Sequence, residues 1–142
     1  MITRHAQATW EGDLAHGKGQ VKTNSGAVNS PYSFGTRFGE TPGTNPEELI
    51  GAAHSACFSM ALSHMLASSG HMPTRVTTKA DVQLDKVGEG FKIVKIILTT
   101  EGVVPGIDEA TFLETANKAK AGCPISQALA ATPIELKATL VK

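Results

Sequence analysis

One long apolar segment constrains the fold of this chain more than any other feature. Between Asn45 and Gly70, apolar residues recur at helical spacing with few polar interruptions, which predicts a helix buried on most of its sides. Asn45 can cap this helix, Pro46 suits its first turn, and Gly70 ends it. We therefore expect the helix to form the centre of the fold.

The first third of the chain, before the helix, is polar, glycine-rich and strand-like. Ala6, Ala8 and Trp10 alternate with polar residues, as in a half-buried strand. The turn signal Asn24-Ser25-Gly26 separates later strand-like runs, and the last of these covers residues 32–38. This pattern predicts a short antiparallel meander.

The half of the chain after the helix begins with a strong hairpin signal. Two alternating segments flank Gly88-Glu89-Gly90, and one bulge is expected around Val94. Asp108 can cap a second helix, Cys123 precedes a short third helix, and residues 134–140 alternate as a closing strand. Strands and helices thus follow one another in an α+β order.

Composition excludes several classes of function. The 13 basic and 13 acidic residues balance, so the chain lacks the basic excess that binds nucleic acid or an anionic membrane surface. The first residues do not resemble a secretory signal and no run of about 18 apolar residues is present, so we expect a cytoplasmic protein with no membrane partner. With no repeat or linker, residues 1–142 are expected to form one α+β domain.

The two cysteines have different local settings. Cys57 lies about three turns into the long helix, where the helix dipole has faded and burial disfavours a thiolate. Cys123 precedes Pro124 at a helix start, where unpaired backbone N–H groups can face its sulfur. Taken alone, Cys57 can be a small core residue and Cys123 a helix cap. As a pair they are either two buried thiols or a redox couple.

Other chemistry has weaker support in the sequence. His54 and Cys57 lie three residues apart on one helix face, and Cys123 could join them around a metal ion. Structural zinc sites usually show a second close ligand pair, which this chain lacks, so we expect no metal site. The glycines form no phosphate-binding motif, and the helix serines have no nucleophile elbow around them.

Six short motifs, spread over essentially the whole chain, form a specific combination. They are Trp10-Glu11-Gly12, Pro31-Tyr32-Ser33-Phe34, Thr36-Arg37-Phe38, Gly43-Thr44-Asn45-Pro46-Glu47-Glu48-Leu49, Ala56-Cys57-Phe58-Ser59-Met60 and Lys118-Ala119-Lys120-Ala121-Gly122-Cys123-Pro124. In this combination the chain resembles the OsmC/Ohr family of osmotically inducible and organic-hydroperoxide-resistance proteins, closer to the osmotically inducible branch. The resemblance implies an OsmC-like α+β fold, in which antiparallel sheets pack around a long central helix in an intertwined homodimer.

The same resemblance implies a thiol-dependent peroxidase that reduces organic, fatty-acid-type hydroperoxides to alcohols. By this likeness Cys57 attacks the peroxide and becomes a sulfenic acid, Cys123 resolves it as a disulfide, and Arg37 and Glu47 set up the site. It also implies no bound cofactor and an external dithiol reductant, of lipoyl type. The apolar residues expected to form the substrate pocket near Cys57 are Leu49, Ile50, Phe58 and Met60.

The physical chemistry of these residues agrees with the resemblance. A guanidinium such as Arg37 stays charged and can hold a thiolate, while the Glu47 carboxylate orients it. Taken alone, Arg37 is interpreted as a solvent-facing strand residue and Glu47 as an acid at a helix start.

Helix geometry adds an argument about assembly. Glu47 and Cys57 are separated by about 15 Å along one helix and lie on different faces. An arginine that contacts the Cys57 sulfur cannot easily pair with Glu47 of the same helix, so we expect a second subunit to supply at least one partner. The rival interpretation is a hotdog-type module that binds an acyl chain and leaves both cysteines passive.

Overall fold

Two three-stranded sheets organise the chain, one before the long helix and one after it. The computed structural model describes all 142 residues. It separates them into two units, Met1–Leu49 and Ile50–Lys142, with the boundary inside the long helix. The single domain expected over residues 1–142 stays a prediction.

The first unit contains the predicted antiparallel meander. Its strands are β1 (Ala6–Glu11), β2 (Lys18–Thr23) and β3 (Asn29–Tyr32), in that spatial order. Strand β1 is less buried than expected, because only Trp10 is partly covered and the other residues of the strand are exposed. The one helix that lies wholly within this unit has five residues, too few to cover a face of the sheet.

A glycine in the middle strand of this sheet brings two aromatic rings together. Gly19 pairs with Trp10 on one side and with Tyr32 on the other. A Cβ atom at Gly19 would clash with both rings. Because glycine has no side chain, the rings of Trp10 and Tyr32 meet over the strand with their centroids 5.3 Å apart.

A short helix, α1 (Phe34–Phe38), occupies most of the segment 32–38 that was predicted as strand. Ser33 Oγ accepts a hydrogen bond from the Thr36 N–H at 3.3 Å, and Thr36 Oγ1 accepts one from the Ser33 N–H at 2.8 Å. This capping box satisfies two backbone donors at the helix start and favours a helix over a strand. The strand prediction for Arg37 is therefore wrong, and Arg37 lies in the last turn of α1.

The long helix, α2 (Pro46–Ser68), starts and ends as predicted. Asn45 Oδ1 accepts a hydrogen bond from the backbone N–H of Glu48 at 2.8 Å, which caps the helix start. Gly70 follows the helix end with φ of +89°, a conformation that glycine adopts without strain.

Helix α2 is buried along one stripe and not on most of its sides. The buried residues recur every three or four positions: Gly51, His54, Phe58, Leu62 and Leu66. The opposite face carries exposed residues, among them Ala52, Ala53, Ala56, Met60 and His64. Met60 is 75% exposed. The expectation of nearly complete burial is wrong for the single chain, because the chain covers only one face of an otherwise apolar helix.

The apolar character of α2 bears on the expectation about membranes. By length and composition alone this helix could cross a membrane, a test that core helices of soluble proteins also pass. Its most apolar window has a mean hydropathy of 1.3, and 28% of that window is buried.

The second unit contains one mixed sheet, formed by β4 (Arg75–Val87), β5 (Gly90–Val103) and β6 (Ile134–Leu140). Strands β4 and β5 form the predicted hairpin, and a register shift leaves Val94 as the extra residue of the predicted bulge. Strand β6 pairs with β5 in parallel. The parallel pairing differs from the prediction, which was that the sheets are antiparallel. The helices between β5 and β6 form a crossover that returns the chain to the end of the sheet where β5 begins, so both strands run in the same direction.

Helices α3 (Glu109–Gly122) and α4 (Pro124–Ala128) form this connection. Asp108 caps α3 as predicted, and its Oδ2 accepts a hydrogen bond from the Thr111 N–H at 3.0 Å. The buried apolar residues of the second unit form one core that comprises Phe58, Leu62, Leu66, Ile96, Leu98, Val104, Phe112, Ala116, Ala119 and Cys123.

Candidate active site

The second unit brings the two cysteines together as free thiols. Cys57 lies on α2 beside the core residue Phe58 and is partly exposed. Cys123 lies between α3 and α4 and is 1% exposed. The two thiol groups are close enough to interact electrostatically. A ligand that reaches this site therefore meets Cys57 first, with Cys123 behind it.

The surroundings of Cys57 within the single chain disfavour a thiolate. Burial raises the pKa of the Cys57 thiol, the neighbouring Cys123 thiol raises it further, and a hydrogen bond from the Ile125 backbone N–H partly offsets both effects. No positively charged group of the second unit contributes to this balance. A nucleophilic role for Cys57 would therefore require a stabilising cation from outside this unit.

Cys123 caps α4, as its position before Pro124 predicts. Its sulfur accepts a hydrogen bond from the Ser126 backbone N–H at 3.3 Å, and Pro124 occupies the first helical turn. The Cys123 thiol also donates a hydrogen bond to Ser126 Oγ at 3.1 Å. The cap thus fixes the orientation of the sulfur that faces Cys57.

A buried hydrogen-bond chain extends from Cys123 to α2, and the sequence analysis did not find it. His54 is fully buried, and its Nε2 lies 2.7 Å from Ser126 Oγ. Its Nδ1 has no hydrogen-bond partner. The spacing of Cys123 and Ser126 is a helix-cap signal that could have drawn attention to Ser126. Nothing in the sequence pairs Ser126 with His54, 72 positions away.

No group of three or more potential metal ligands is present in the structure. His54, which the sequence analysis considered as a ligand together with Cys57 and Cys123, instead contacts Ser126. Burial lowers the pKa of His54, so the imidazole is neutral at neutral pH.

Arg37 and Glu47 form an ion pair within the first unit. Arg37 Nη2 donates to Glu47 Oε1 at 2.7 Å, and Arg37 Nε donates to both carboxylate oxygens, at 3.1 and 3.2 Å. The Glu47 side chain is only 11% exposed, which strengthens this charge-assisted contact. Because the Nε and Nη2 groups of Arg37 donate to Glu47, the Nη1 group of Arg37 is available to donate a hydrogen bond to another acceptor. The action of the two residues on Cys57 stays a prediction.

Arg37 also lines a cavity of about 270 Å³ in the first unit, which the sequence analysis did not predict. The other lining residues are mostly aromatic or apolar: Trp10, Leu14, Tyr32, Ser33, Phe34, Phe38 and Pro46. The close contact of Trp10 and Tyr32 over Gly19 shapes one part of this wall. An apolar cavity with one guanidinium suits a ligand that has an apolar body and a polar end.

The four residues expected to form the substrate pocket lie in different settings. Phe58 is fully buried in the core of the second unit, whereas Met60 is 75% exposed on the opposite face of α2. Leu49 and Ile50 are partly buried near the start of that helix. Their role as a pocket wall stays a prediction.

Known proteins resemble this chain over most of its length. Residues 38–138 match the protein family described as OsmC-like protein. Peroxiredoxin OsmC from Escherichia coli (strain K12) is 60% identical over 131 residues, which cover 92% of each chain. An organic hydroperoxide resistance protein from Xanthomonas axonopodis pv. citri is 31% identical over 129 residues, which cover 90% of this chain and 87% of the relative.

Solved structures show the same fold. The crystal structure of an organic hydroperoxide resistance protein OsmC from Legionella pneumophila superposes with a TM-score of 0.76 and 25% identity, covering 100% of this chain and 98% of the other. The protein is therefore an oxidoreductase of the peroxidase class. It belongs to the OsmC-like protein family, on the OsmC branch, which confirms the predicted family and the predicted OsmC-like α+β fold.

The buried imidazole of His54 predicts a pH dependence of stability. Its pKa in the folded protein lies below the ordinary value of 6.5, so the unfolded chain binds more protons as the pH falls through about 6.5. The contribution of neutral His54 to the free energy of unfolding is therefore complete above that pH. Below it, the free energy of unfolding decreases by at most about 1.4 kcal/mol per pH unit. Urea unfolding of wild type between about pH 7.5 and 5.5 measures this slope.

Replacement of His54 by Gln should flatten the slope, because glutamine does not titrate. The exposed His5, outside this helix, supplies the matched control, His5→Gln. Equal slopes in wild type and His54→Gln would contradict the account of His54 as a histidine buried in its neutral form.

Proposed function

We propose that this protein reduces organic hydroperoxides to alcohols through a Cys57 sulfenic acid and a Cys57–Cys123 disulfide. The observation that supports the proposal most directly is the proximity of two free thiols, of which one is partly exposed and the other buried. A module that only binds acyl chains needs no such pair, and the names of the relatives favour the peroxidase.

In the first step the Cys57 thiolate attacks the outer oxygen of the hydroperoxide. The O–O bond breaks, the sulfur becomes a sulfenic acid, and the remaining alkoxide takes up a proton and leaves as an alcohol. The guanidinium of Arg37, oriented by Glu47, stabilises the thiolate and the charge that develops on the oxygen.

In the second step the Cys123 sulfur attacks the Cys57 sulfur, so that a disulfide forms and water leaves. An external dithiol, for which a lipoyl-type group is proposed, then reduces the disulfide and is itself oxidised. Two electrons pass from the dithiol to the peroxide in each cycle. A reducing compartment such as the cytoplasm suits this cycle, because it maintains the two free thiols between turnovers.

The substrate is proposed to be an organic hydroperoxide because of the cavity beside Arg37. Its aromatic and apolar wall favours an alkyl or aryl group over the small, polar hydrogen peroxide. The relative from Xanthomonas axonopodis is named for resistance to organic hydroperoxides.

We also propose that the working form is a twofold homodimer. The exposed face of α2 carries Ala52, Ala53, Ala56 and Met60, and a second copy of the chain would remove this apolar surface from water. Because helix geometry separates Glu47 from Cys57 on one helix, the Arg37–Glu47 pair of one subunit would serve Cys57 of the partner subunit. This arrangement would place a cation beside Cys57, whose pKa is not lowered by any cation of the second unit.

The first prediction concerns the two cysteines. Cys57→Ser should abolish turnover of cumene hydroperoxide, since serine is not oxidised by the peroxide. Cys123→Ser should consume about one equivalent per site and then stop as the sulfenic acid or over-oxidise. Stopped-flow measurement of peroxide consumption with dihydrolipoamide as reductant tests both. Turnover by Cys57→Ser at the wild-type rate would contradict the assignment.

The second prediction concerns the activation of Cys57. Arg37→Ala should raise the pKa of the Cys57 thiol, because the stabilising cation is lost, and should slow the reaction with peroxide by about 100-fold. Arg37→Lys should restore little, since lysine lacks the planar fork. The pH profile of iodoacetamide alkylation measures the pKa, with the exposed Arg4→Ala as matched control. An unchanged profile in Arg37→Ala would show that another group activates the thiol.

The third prediction concerns the dimer. Met60→Asp should convert a wild-type dimer into monomers, because it buries a charge in the proposed interface. Val87→Asp is the control, since Val87 is also exposed, at 53%, but lies at the end of the β4–β5 hairpin. Sedimentation equilibrium at micromolar concentration measures the masses. A monomeric wild type would contradict the proposal.

Subunit exchange tests the shared site separately. A mixture of Cys57→Ser and Glu47→Ala proteins should regain activity, to about a quarter of the wild-type level for random pairing with one working site per mixed dimer. No regain after exchange would show that Glu47 acts within its own subunit.

A further inference from the structure

The hydrogen-bond chain from Cys123 through Ser126 to His54 has no role in the reaction as described so far. All three side chains are buried, and His54 and Ser126 come from different helices of the second unit. The Sγ–Oγ distance is 3.1 Å and the Oγ–Nε2 distance is 2.7 Å. Buried polar groups are normally satisfied, so an imidazole in the core with an unpartnered Nδ1 requires an explanation.

The direction of the first hydrogen bond, from the Cys123 thiol to Ser126 Oγ, constrains the direction of the second. Since the Cys123 thiol donates to Ser126 Oγ, the single hydroxyl proton of Ser126 is free to point at His54 Nε2. His54 Nε2 is then the acceptor, and its proton is on Nδ1. Each proton is placed for transfer in the same direction, from the thiol toward the imidazole.

We propose that Ser126 and His54 form a proton relay that activates Cys123 as the resolving thiol. This inference rests on the proposed function, which supplies the disulfide-forming reaction. The hydrogen bonds of the relay do not depend on that proposal. Ser126 contacts the reacting sulfur and is a catalytic residue in this scheme, whereas His54 acts through Ser126 and is a positioning and proton-accepting residue.

The step balances without a further oxidant. As the Cys123 sulfur bonds to the Cys57 sulfur, the thiol proton moves to Ser126 Oγ and the hydroxyl proton of Ser126 moves to His54 Nε2. The S–O bond of the Cys57 sulfenic acid breaks and its electron pair leaves with hydroxide. The imidazolium then loses its extra proton, which converts the hydroxide to water, so that one disulfide and one water form.

Three features of the site suit this role. Cys123 is 1% exposed, so bulk water cannot readily accept its proton and an internal acceptor is required. Burial keeps His54 neutral in the resting protein, so the imidazole is ready to accept. The Ser126 backbone N–H, 3.3 Å from the Cys123 sulfur, stabilises the thiolate as it forms.

Single-turnover kinetics separate this step from the first. After one equivalent of cumene hydroperoxide, the Cys57 sulfenic acid is trapped with dimedone at intervals, and disulfide formation is followed by mass spectrometry. In Ser126→Ala and His54→Gln the rate of disulfide formation, relative to that of peroxide consumption, should fall by at least about tenfold. The dimedone-reactive form should accumulate.

Each variant has a specific purpose. Ser126→Ala removes the bridging hydroxyl and keeps the backbone N–H that caps α4. His54→Gln keeps a side-chain amide that can hydrogen-bond to Ser126 but cannot take up a proton, so a purely structural role would be largely preserved. Ser59→Ala is the matched control, because Ser59 is a partly buried serine of α2 that hydrogen-bonds to Thr78 instead. A wild-type ratio in either relay variant would overturn the relay.

A peroxide-free reaction distinguishes failure of the relay from failure of the proposed function. A thionitrobenzoate mixed disulfide on Cys57 is displaced by Cys123, whereupon the Cys57–Cys123 disulfide forms and thionitrobenzoate is released and detected by absorbance. The relay predicts slower release in both variants even if the wild type consumes no peroxide. Unchanged release in both, with normal peroxide consumption by the wild type, would overturn the relay and leave the peroxidase proposal intact.

Discussion

The proximity of Cys57 and Cys123 is the constraint on which the rest of the site depends. Phe58 packs in the core and thereby fixes the rotation of helix α2 about its axis. In this rotation the preceding residue, Cys57, lies near the start of α4. The α3–α4 junction holds the other sulfur in place through the cap on Ser126. A thiol pair built on two helices in one packed core keeps its geometry better than a pair on loops would.

The electrostatics of the molecule divide between the two units. The second unit holds both thiols and raises the pKa of Cys57, so it favours the protonated thiol over the thiolate. The first unit holds the oriented guanidinium of Arg37 and the apolar cavity beside it. In the proposed dimer a reactive site forms only where these two sets of residues meet. This requirement would protect the isolated chain from indiscriminate oxidation.

Much of this arrangement could be predicted from the sequence, because local rules determine it. Caps at Asn45, Asp108 and Cys123, and the bulge at Val94, follow from residue chemistry within a few positions. The predictions were wrong where two local signals competed, or where the buried face of a helix had to be inferred. The capping box of Ser33 overrode an alternating pattern, and an all-round apolar helix did not reveal which face the chain itself covers. The pairing of His54 with Ser126 depends on tertiary packing, which no local rule encodes.

The most direct test of the central claim is to titrate the reduced protein with one equivalent of cumene hydroperoxide and analyse it by peptide mass spectrometry. The account predicts a loss of two hydrogens per chain, a peptide pair linked between Cys57 and Cys123, and one equivalent of cumyl alcohol. Consumption of the peroxide with both cysteines still reduced, or formation of a disulfide between chains alone, would contradict it.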